Sequence, residues 1–428
     1  MSRADRQEVG RAKNEPQSYD CTTLEDIMFN RRKFLTTVGL AVGIGLASLA
    51  STATAQEGLT WSVHVDLTGP ASYGGLPQGD GFEAFVKWKN EQGGIRGRMI
   101  DLTVTDTTFK VDVAAANLKK AMAQSQVHYF FGDSTGTMQA VSPENNSTHK
   151  ILSGGGSFAS ELADPVRFPY YFVAGATYGD QLQLLVNYVS QTMDPSKARL
   201  AIMHSSISLG RDGIDQAVAE AKRLGIEIVL IQESKFIEAD VSSFALALRQ
   251  AKPTHVLFHG YSFAVWPETI RLVRDFGLDD VVFMSSMWQN EYDKIVELAD
   301  VAEGLVGIKV FETDTNTGSG EMIDVIRKIH QDRDADFNGY VRLGFMDGWF
   351  NGMMASKAME DVIDTGLEIN GDNLVAAMEK ISNWDTGGMI GMPASFDGHK
   401  TGIGQIIRWE KNGDAWASTP ASDWMKVE

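Results

Sequence analysis

Val127-His128-Tyr129-Phe130-Phe131 runs straight into Gly132-Asp133-Ser134-Thr135-Gly136, and a little further on Lys150-Ile151-Leu152 runs into Ser153-Gly154-Gly155-Gly156-Ser157. Short apolar runs ending in Gly and Ser read as buried parallel strands, and in open α/β sheets ligands sit just beyond the carboxyl ends of such strands. Two such tips side by side make a floor of hydroxyls and unblocked backbone N–H groups. Each offers a directed hydrogen bond, and glycine lets a ligand approach the backbone, so the floor suits a carboxylate, a phosphate or another small oxygen-rich group. Whether it binds or catalyses depends on the rest of the chain.

At 428 residues, 43% hydrophobic and 22% charged, the chain is ordinary globular material, long enough for two domains with cores of their own. A formal net charge of -18 argues against a nucleic-acid partner, because phosphate backbones need a basic face. Near the start, Asn30-Arg31-Arg32-Lys33-Phe34-Leu35 leads into the apolar run Thr36 to Ala50 and then Ser51-Thr52-Ala53-Thr54-Ala55. That is a charged region of the twin-arginine type, an apolar region and a small-x-small cleavage site, so residues 1–55 are expected to be an export signal cut near Ala55, leaving a periplasmic protein. Met28, just before the Arg pair, offers an alternative start. The cut removes Cys21, the single cysteine, so no disulfide, thiol nucleophile or thiolate metal site is expected in the mature chain. It also removes seven Lys/Arg and six Asp/Glu; -18 less +1 leaves -19.

Leu59 to Leu67 alternates like a strand and ends in Thr68-Gly69-Pro70; a Gly-rich loop carrying Tyr73 follows. Gly81 to Gln92 has helical spacing, Gly93-Gly94-Ile95-Arg96-Gly97 ends it, Met99 to Val104 reads as a second strand and Val111 to Gln124 as a helix. Beyond Gly175, Arg199 to His204, Ile226 to Ile231, His255 to Phe258 and Val281 to Met284 are strand-like, with helices expected near Asp212, Val241 and Trp266. Strand and helix alternate throughout, which implies an α/β protein with doubly wound parallel sheets.

Asp66-Leu67-Thr68-Gly69-Pro70, Tyr73-Gly74, Asn90-Glu91-Gln92-Gly93-Gly94-Ile95-Arg96-Gly97-Arg98 and Thr105-Asp106 together resemble the opening of the leucine/isoleucine/valine-binding type of periplasmic protein, the solute receptor of an ABC importer. The resemblance continues through Gly132-Asp133-Ser134, the Ser153 to Ser157 loop, Phe168-Pro169-Tyr170-Tyr171-Phe172, Leu209-Gly210, Ala302-Glu303-Gly304 and Ser395-Phe396-Asp397, nearly all of residues 59–415. It implies the type I periplasmic binding protein fold: two doubly wound parallel-sheet lobes joined by a three-crossover hinge and closing on a solute. Lobe one would take residues 56–175 and 305–385, and lobe two residues 176–304 and 386–428. It further implies no cofactor, a monomer, a small-molecule solute and an ABC permease as partner. Ser134 and Ser157 match the hydroxyl residues that hold a ligand carboxylate, with backbone N–H groups at Gly155 and Gly156, and Tyr73 matches an aromatic wall. Each Ser also stands where a helix would start, and a helix N-cap is the plainer role.

Two departures bear on the solute. Leu209 stands where the family has a Tyr, and Gly260-Tyr261-Ser262-Phe263-Ala264-Val265 lacks the acid that pairs an amino acid's ammonium. A buried ammonium without a carboxylate is costly. Glu268 is the nearest substitute, while Tyr261, Phe263, Trp266 and Trp288 suit an aromatic or aliphatic carboxylate or amide, or simply pack in the core. Tyr261 and Trp288 are carried forward as ligand contacts. Two rival readings use the same residues. Gly132-Asp133-Ser134-Thr135-Gly136 has the G-x-S-x-G form of a serine hydrolase elbow, with Asp364, Asp372, Asp385 and His399 downstream in the right order, though no His-Gly oxyanion motif precedes it. A sensor lobe would share the fold and need a second signalling module. The remaining histidines are scattered and suggest no metal site.

Overall fold

The computed structural model describes residues 57–237, 240–260, 265–413 and 415–427; the expected export segment lies outside them. The first unit of chain runs β1 (Leu59–Val65), α1 (Ser72–Glu91), β2 (Ile100–Asp106), α2 (Val111–Gln124), β3 (Tyr129–Gly132), α3 (Thr135–Glu144) and β4 (Leu152–Gly155). Its strands form one parallel sheet in the order β2-β1-β3-β4. β1 is buried on both faces: Leu59, Trp61, Val63 and Val65 are fully buried on the face read in the sequence, and Ser62 and His64 are buried on the other. A second unit follows: α4 (Tyr178–Thr192), β5 (Arg199–Ser205), α5 (Ser208–Arg211), α6 (Ile214–Leu224), β6 (Glu227–Ser234), α7 (Ser242–Ala251), β7 (His255–His259), α8 (Val265–Asp275), β8 (Val282–Ser285), α9 (Tyr292–Leu298) and β9 (Val306–Lys309). The chain then returns to the first lobe with α10 (Glu321–Arg333), α11 (Leu343–Asp364) and α12 (Gly371–Met378), and ends in the second with β10 (Ile403–Asn412), β11 (Ala415–Pro420) and β12 (Met425–Lys426). The second sheet has the order β11-β10-β9-β8-β7-β5-β6, with β12 beside β10.

Two boundaries differ from the sequence reading. Val306–Lys309, expected to return to lobe one, instead sits in the second sheet, parallel to β8 and antiparallel to β10. A four-residue buried strand carries no periodicity that says which sheet it joins. Residues 386–396, expected in lobe two, pack on the first core through Met389, Ile390, Ala394 and Phe396. The backbone crosses between lobes at three places that lie together: the Val173 N–H donates to the His399 carbonyl at 2.8 Å, the Gly402 N–H to the Gly175 carbonyl at 3.2 Å, and Val310 flanks Gly175.

The stretch expected to be a Gly-rich loop is the first two turns of α1. Its glycines do not break the helix because they sit where α1 packs closely on its neighbours, Gly75 against the Asp66 backbone, Gly79 against β1 and β2, and Gly81 against α11. A Cβ on Gly81 would stand 2.2 Å from the Phe345 carbonyl oxygen, and one on Gly348 2.2 Å from the Gln78 carbonyl oxygen. Close backbone packing here offsets the helix penalty of glycine, about 0.5–1 kcal/mol each. The Gly-Gly-Ile-Arg-Gly run does what it was read to do. Gly94 has φ +72, and a side chain there would strike the Arg98 carbonyl. The turn so formed lets the Asn90 amide bond both the N–H and the carbonyl of Ile100, joining α1 to β2.

Candidate functional site

The loops beyond β1, β3 and β4 face the loop beyond β5 across a cleft, and between them lies a cavity of about 330 Å³. That is the small end of the range for small-molecule sites. On the first-lobe side, Ser134, Thr135 and Gly136 border it at the start of α3. Ser134 caps the helix: its Oγ accepts the Thr137 N–H at 3.2 Å and donates to Thr137 Oγ1 at 3.0 Å. The first N–H groups of a helix have no intrahelical partner, and with the helix dipole they favour an anion. The pole of the cavity around Ser134 is therefore suited to a carboxylate.

Two acids border the cavity, and both are engaged by the protein. Asp66 accepts the N–H groups of Gly69 at 2.6 Å and Ala71 at 2.7 Å. Asp133 accepts the hydroxyls of Thr107 and Thr137, while burial pushes its pKa up. Gln78 lies on the floor, 3% exposed, and its Nε2 donates to Asp347 Oδ2 at 2.9 Å. Asp347 is wholly buried; Asn351 donates to its other oxygen at 2.9 Å and accepts the Tyr129 hydroxyl at 2.9 Å. Burial drives the Asp347 pKa well above the carboxylate range, against the pull of the Gln78 and Asn351 hydrogen bonds.

The second-lobe side alternates small hydroxyls with apolar groups: Ser206, Ile207, Ser208, Leu209 and Trp288, with Arg211 at its edge held by two hydrogen bonds to Glu233. Leu209 is fixed from behind. His259, fully buried and held neutral near pKa 4 by burial, contacts the Leu209 carbonyl through Nε2 at 2.9 Å. A carbonyl only accepts, so Nε2 carries the proton and Nδ1 accepts the Ser286 hydroxyl at 2.8 Å. Trp288 is anchored by its indole N–H, which donates to the Tyr178 hydroxyl at 3.0 Å. Phe109 reaches from the first lobe to stack on Phe236 of the second at 5.4 Å.

Of the residues named from sequence, Ser134, Gly156 and Trp288 border the cavity. The Gly156 N–H, expected to face a ligand, donates to the Gly132 carbonyl at 3.0 Å, because the pairing of β4 with β3 runs on from Leu152 through Gly155. Gly155 is inside that pairing, and Ser157 is buried with its Oγ on Thr135 Oγ1 at 2.7 Å. Tyr73 is not on the cavity wall. Its hydroxyl donates to Asp293 Oδ1 at 2.6 Å, and the Arg342 guanidinium lies 4.1 Å from its ring centre. Tyr261 lies outside the described residues, as do Phe263 and Ala264. Glu268 pairs with Arg271 and stays exposed, and Trp266 stacks on Phe258 in the second core. Gln78, Asp66, Phe109 and His259 were not singled out from sequence. Ser134 and His399 are not paired: His399 stacks on Phe172 at 3.9 Å and contacts the Tyr171 carbonyl at 3.1 Å, at the hinge.

The family described as "Periplasmic binding protein" matches residues 62–414. This chain belongs to the periplasmic binding protein family. Family membership implies a place outside the cytoplasm, and no helix among the described residues is long and apolar enough to cross a membrane. No curated protein matches the chain. Among solved structures, periplasmic binding proteins share its type I fold. A branched-chain amino acid ABC transporter protein from Thermus thermophilus with bound valine has a TM-score of 0.76 at 20% identity, covering 87% of this chain and 97% of that one. A solute-binding protein of an ABC transporter from Rhodopseudomonas palustris BisB5 with 3,4-dihydroxybenzoic acid has a TM-score of 0.71 at 16% identity, covering 86% and 97%. A fatty acid ABC transporter substrate-binding protein from Thermomonospora curvata has a TM-score of 0.72 at 16% identity, covering 87% and 93%.

In this periplasmic binding protein the two lobes also meet away from the cavity. Arg342 donates to Asp293 Oδ2 at 2.8 Å. Glu291, on the second lobe just before α9, accepts the Leu343 N–H at the start of α11 at 3.1 and 3.3 Å. Burial raises the Glu291 pKa to about 7, with the Leu343 N–H and Arg342 pulling it back. Nearer the hinge, Asp212 of the second lobe accepts both the N–H and the hydroxyl of Ser160, each at 2.8 Å.

Proposed function

We propose that the protein is the solute-binding component of an ABC importer, a periplasmic monomer that captures a small carboxylate, amide or amino acid by hinge closure and presents it to a membrane permease. The observation that carries the reading is the composition of the cavity: a capped helix N-terminus with Ser134 on one side, and the apolar groups of Ile207, Leu209 and Trp288, with Ser206 and Ser208 between them, on the other. An anionic head fits the first and an apolar body the second. Solute bridging the two walls stabilises the closed form, a population shift by differential contact. Both bordering acids are committed to the protein's own donors, so an α-ammonium has no dedicated partner among the described residues. A carboxylate or amide without an amino group therefore stands ahead of an α-amino acid.

Thermal-shift screening of residues 56–428, followed by calorimetry, tests this, since a ligand that binds only the folded state raises its midpoint. The panel is leucine, valine, aromatic and aliphatic carboxylates, and short amides. A shift with carboxylates that exceeds the shift with the matched amino acids supports the reading. No shift with any member sinks it.

A further inference from the structure

Gln78 is the neutral polar side chain on the cavity floor whose surroundings leave work undone. One limb of its amide is taken: Nε2 donates to Asp347 at 2.9 Å. The other, Oε1, has no hydrogen-bond partner among the described residues, although the residue is 3% exposed and borders the cavity. The amide is held firmly, because Asp347, Asn351 and Tyr129 form a buried chain of hydrogen bonds behind it. It is also close to the carboxylate pole. A Cβ on Gly156 would lie 2.2 Å from Gln78 Nε2 and 2.8 Å from the Asp133 carbonyl oxygen, one residue before Ser134. Glycine at position 156 is what allows the amide to stand there.

We propose that Gln78 determines specificity by reading a hydroxyl on the carbon next to the ligand's carboxylate, so that the solute class is a 2-hydroxy acid. This rests on the carboxylate reading of the site given above. The chemistry favours a hydroxyl over other groups. With Asp347 as a carboxylate, Gln78 turns Nε2 toward it and offers Oε1, an acceptor, to the ligand; with Asp347 as an acid, the amide reverses and offers N–H. A hydroxyl donates and accepts, so it satisfies both arrangements, whereas an oxo group answers one and a methylene neither. A site built to hydrogen-bond a ligand hydroxyl rejects the analogue lacking it, because its own buried amide is then left unpaired.

The test uses two matched sets: 2-hydroxy-3-methylbutanoate, 3-methylbutanoate and valine; and mandelate, phenylacetate and phenylglycine. Kd is measured by calorimetry on wild type and Gln78→Met, which keeps the side-chain length without the amide. The expected result is a preference of at least about tenfold for the hydroxy acid in one set, falling to within about threefold in Gln78→Met while the bare acid still binds. If Gln78→Met does not fold, Gly156→Ala displaces the same amide and should lower the preference likewise. A preference that survives in the variant, or tighter binding of valine or phenylglycine than of the hydroxy acid, overturns this inference and leaves a carboxylate-binding or amino-acid-binding site. Absence of binding by every member overturns the carboxylate reading and this inference together.

Discussion

Ser134 uses a single oxygen to end one helix and to face the cavity. Ser134→Ala removes both roles, and they separate by measurement. Losing the cap lowers stability by about 1 kcal/mol, read from urea unfolding. Losing a hydrogen bond to a charged ligand group weakens affinity by about 1.5–3 kcal/mol, read by calorimetry. A stability loss with unchanged affinity would leave Ser134 as a cap alone. Thr108 and Phe109 show a different residue-scale effect. Both are non-glycine residues at φ +50 and +55, held by the Asp106 carboxylate and the Thr107 hydroxyl. Left-handed backbone at such residues costs roughly 1–2 kcal/mol each, and here it points Phe109 across the cleft. Ser134 and Trp288 are legible in sequence as residues that border the cavity, because a strand tip and an isolated aromatic leave local marks, whereas Gly156 borders it with its N–H turned to Gly132. Gln78 is not legible: in sequence it lies in a Gly-rich run, and only the seam between two helices far apart in the chain places it on the floor.

That seam governs the element scale. Gly81→Ala brings a Cβ to 2.2 Å from a backbone carbonyl of α11, which cannot yield as a side chain tip would. A destabilisation of about 1–3 kcal/mol is expected, measured by urea unfolding. Gly79→Ala is the control. Its Cβ would meet Val104 and Val65 methyls at 3.4 Å, an ordinary contact, so the helix gain of alanine should show as a change between zero and about 1 kcal/mol of added stability. Equal losses in both would mean that α1 does not depend on close approach. The same elements show what sequence pattern conveys. Val111–Gln124 was read to the residue because its pattern is uninterrupted and its ends lie in polar chain. The start of α1 is not legible because glycine spacing serves tertiary contact there, and the lobe of β9 is not legible because four buried residues hold no record of their neighbours.

For the whole molecule, the contact of Glu291 with the N-terminus of α11 predicts that the proposed closure depends on pH. The carboxylate faces Arg342, Asp293, Lys294 and the Leu343 N–H when the lobes meet, and burial lifts its pKa to about 7. With the lobes apart it meets water and returns toward about 4.3. Closing therefore takes up a proton between these values. Below the lower value both forms are protonated and the contact adds no penalty. Through the interval the penalty on closing grows as pH rises, and above 7 it is constant. Solute affinity should thus be greater at pH 5 than at pH 8, by up to about 75-fold, and Glu291→Gln should flatten that difference in a calorimetric pH series. An identical slope in the variant would remove Glu291 from closure. Tyr73→Phe, which deletes the hydroxyl that reaches Asp293, should weaken solute binding without altering the cavity wall; unchanged affinity would show that this contact does not favour the closed form.

The three crossings have one more consequence, for the order in which the molecule is made. Strand β9 pairs with β10, yet α10, α11 and α12 are synthesised between them, and α11 is also what covers α1. Neither half of the molecule is a continuous piece of chain: the first is complete only once residues 386–396 have been made, and the second only once β10 has. The second lobe is therefore always the later to close, with the edge of β9 waiting for β10 after the first lobe has all of its chain.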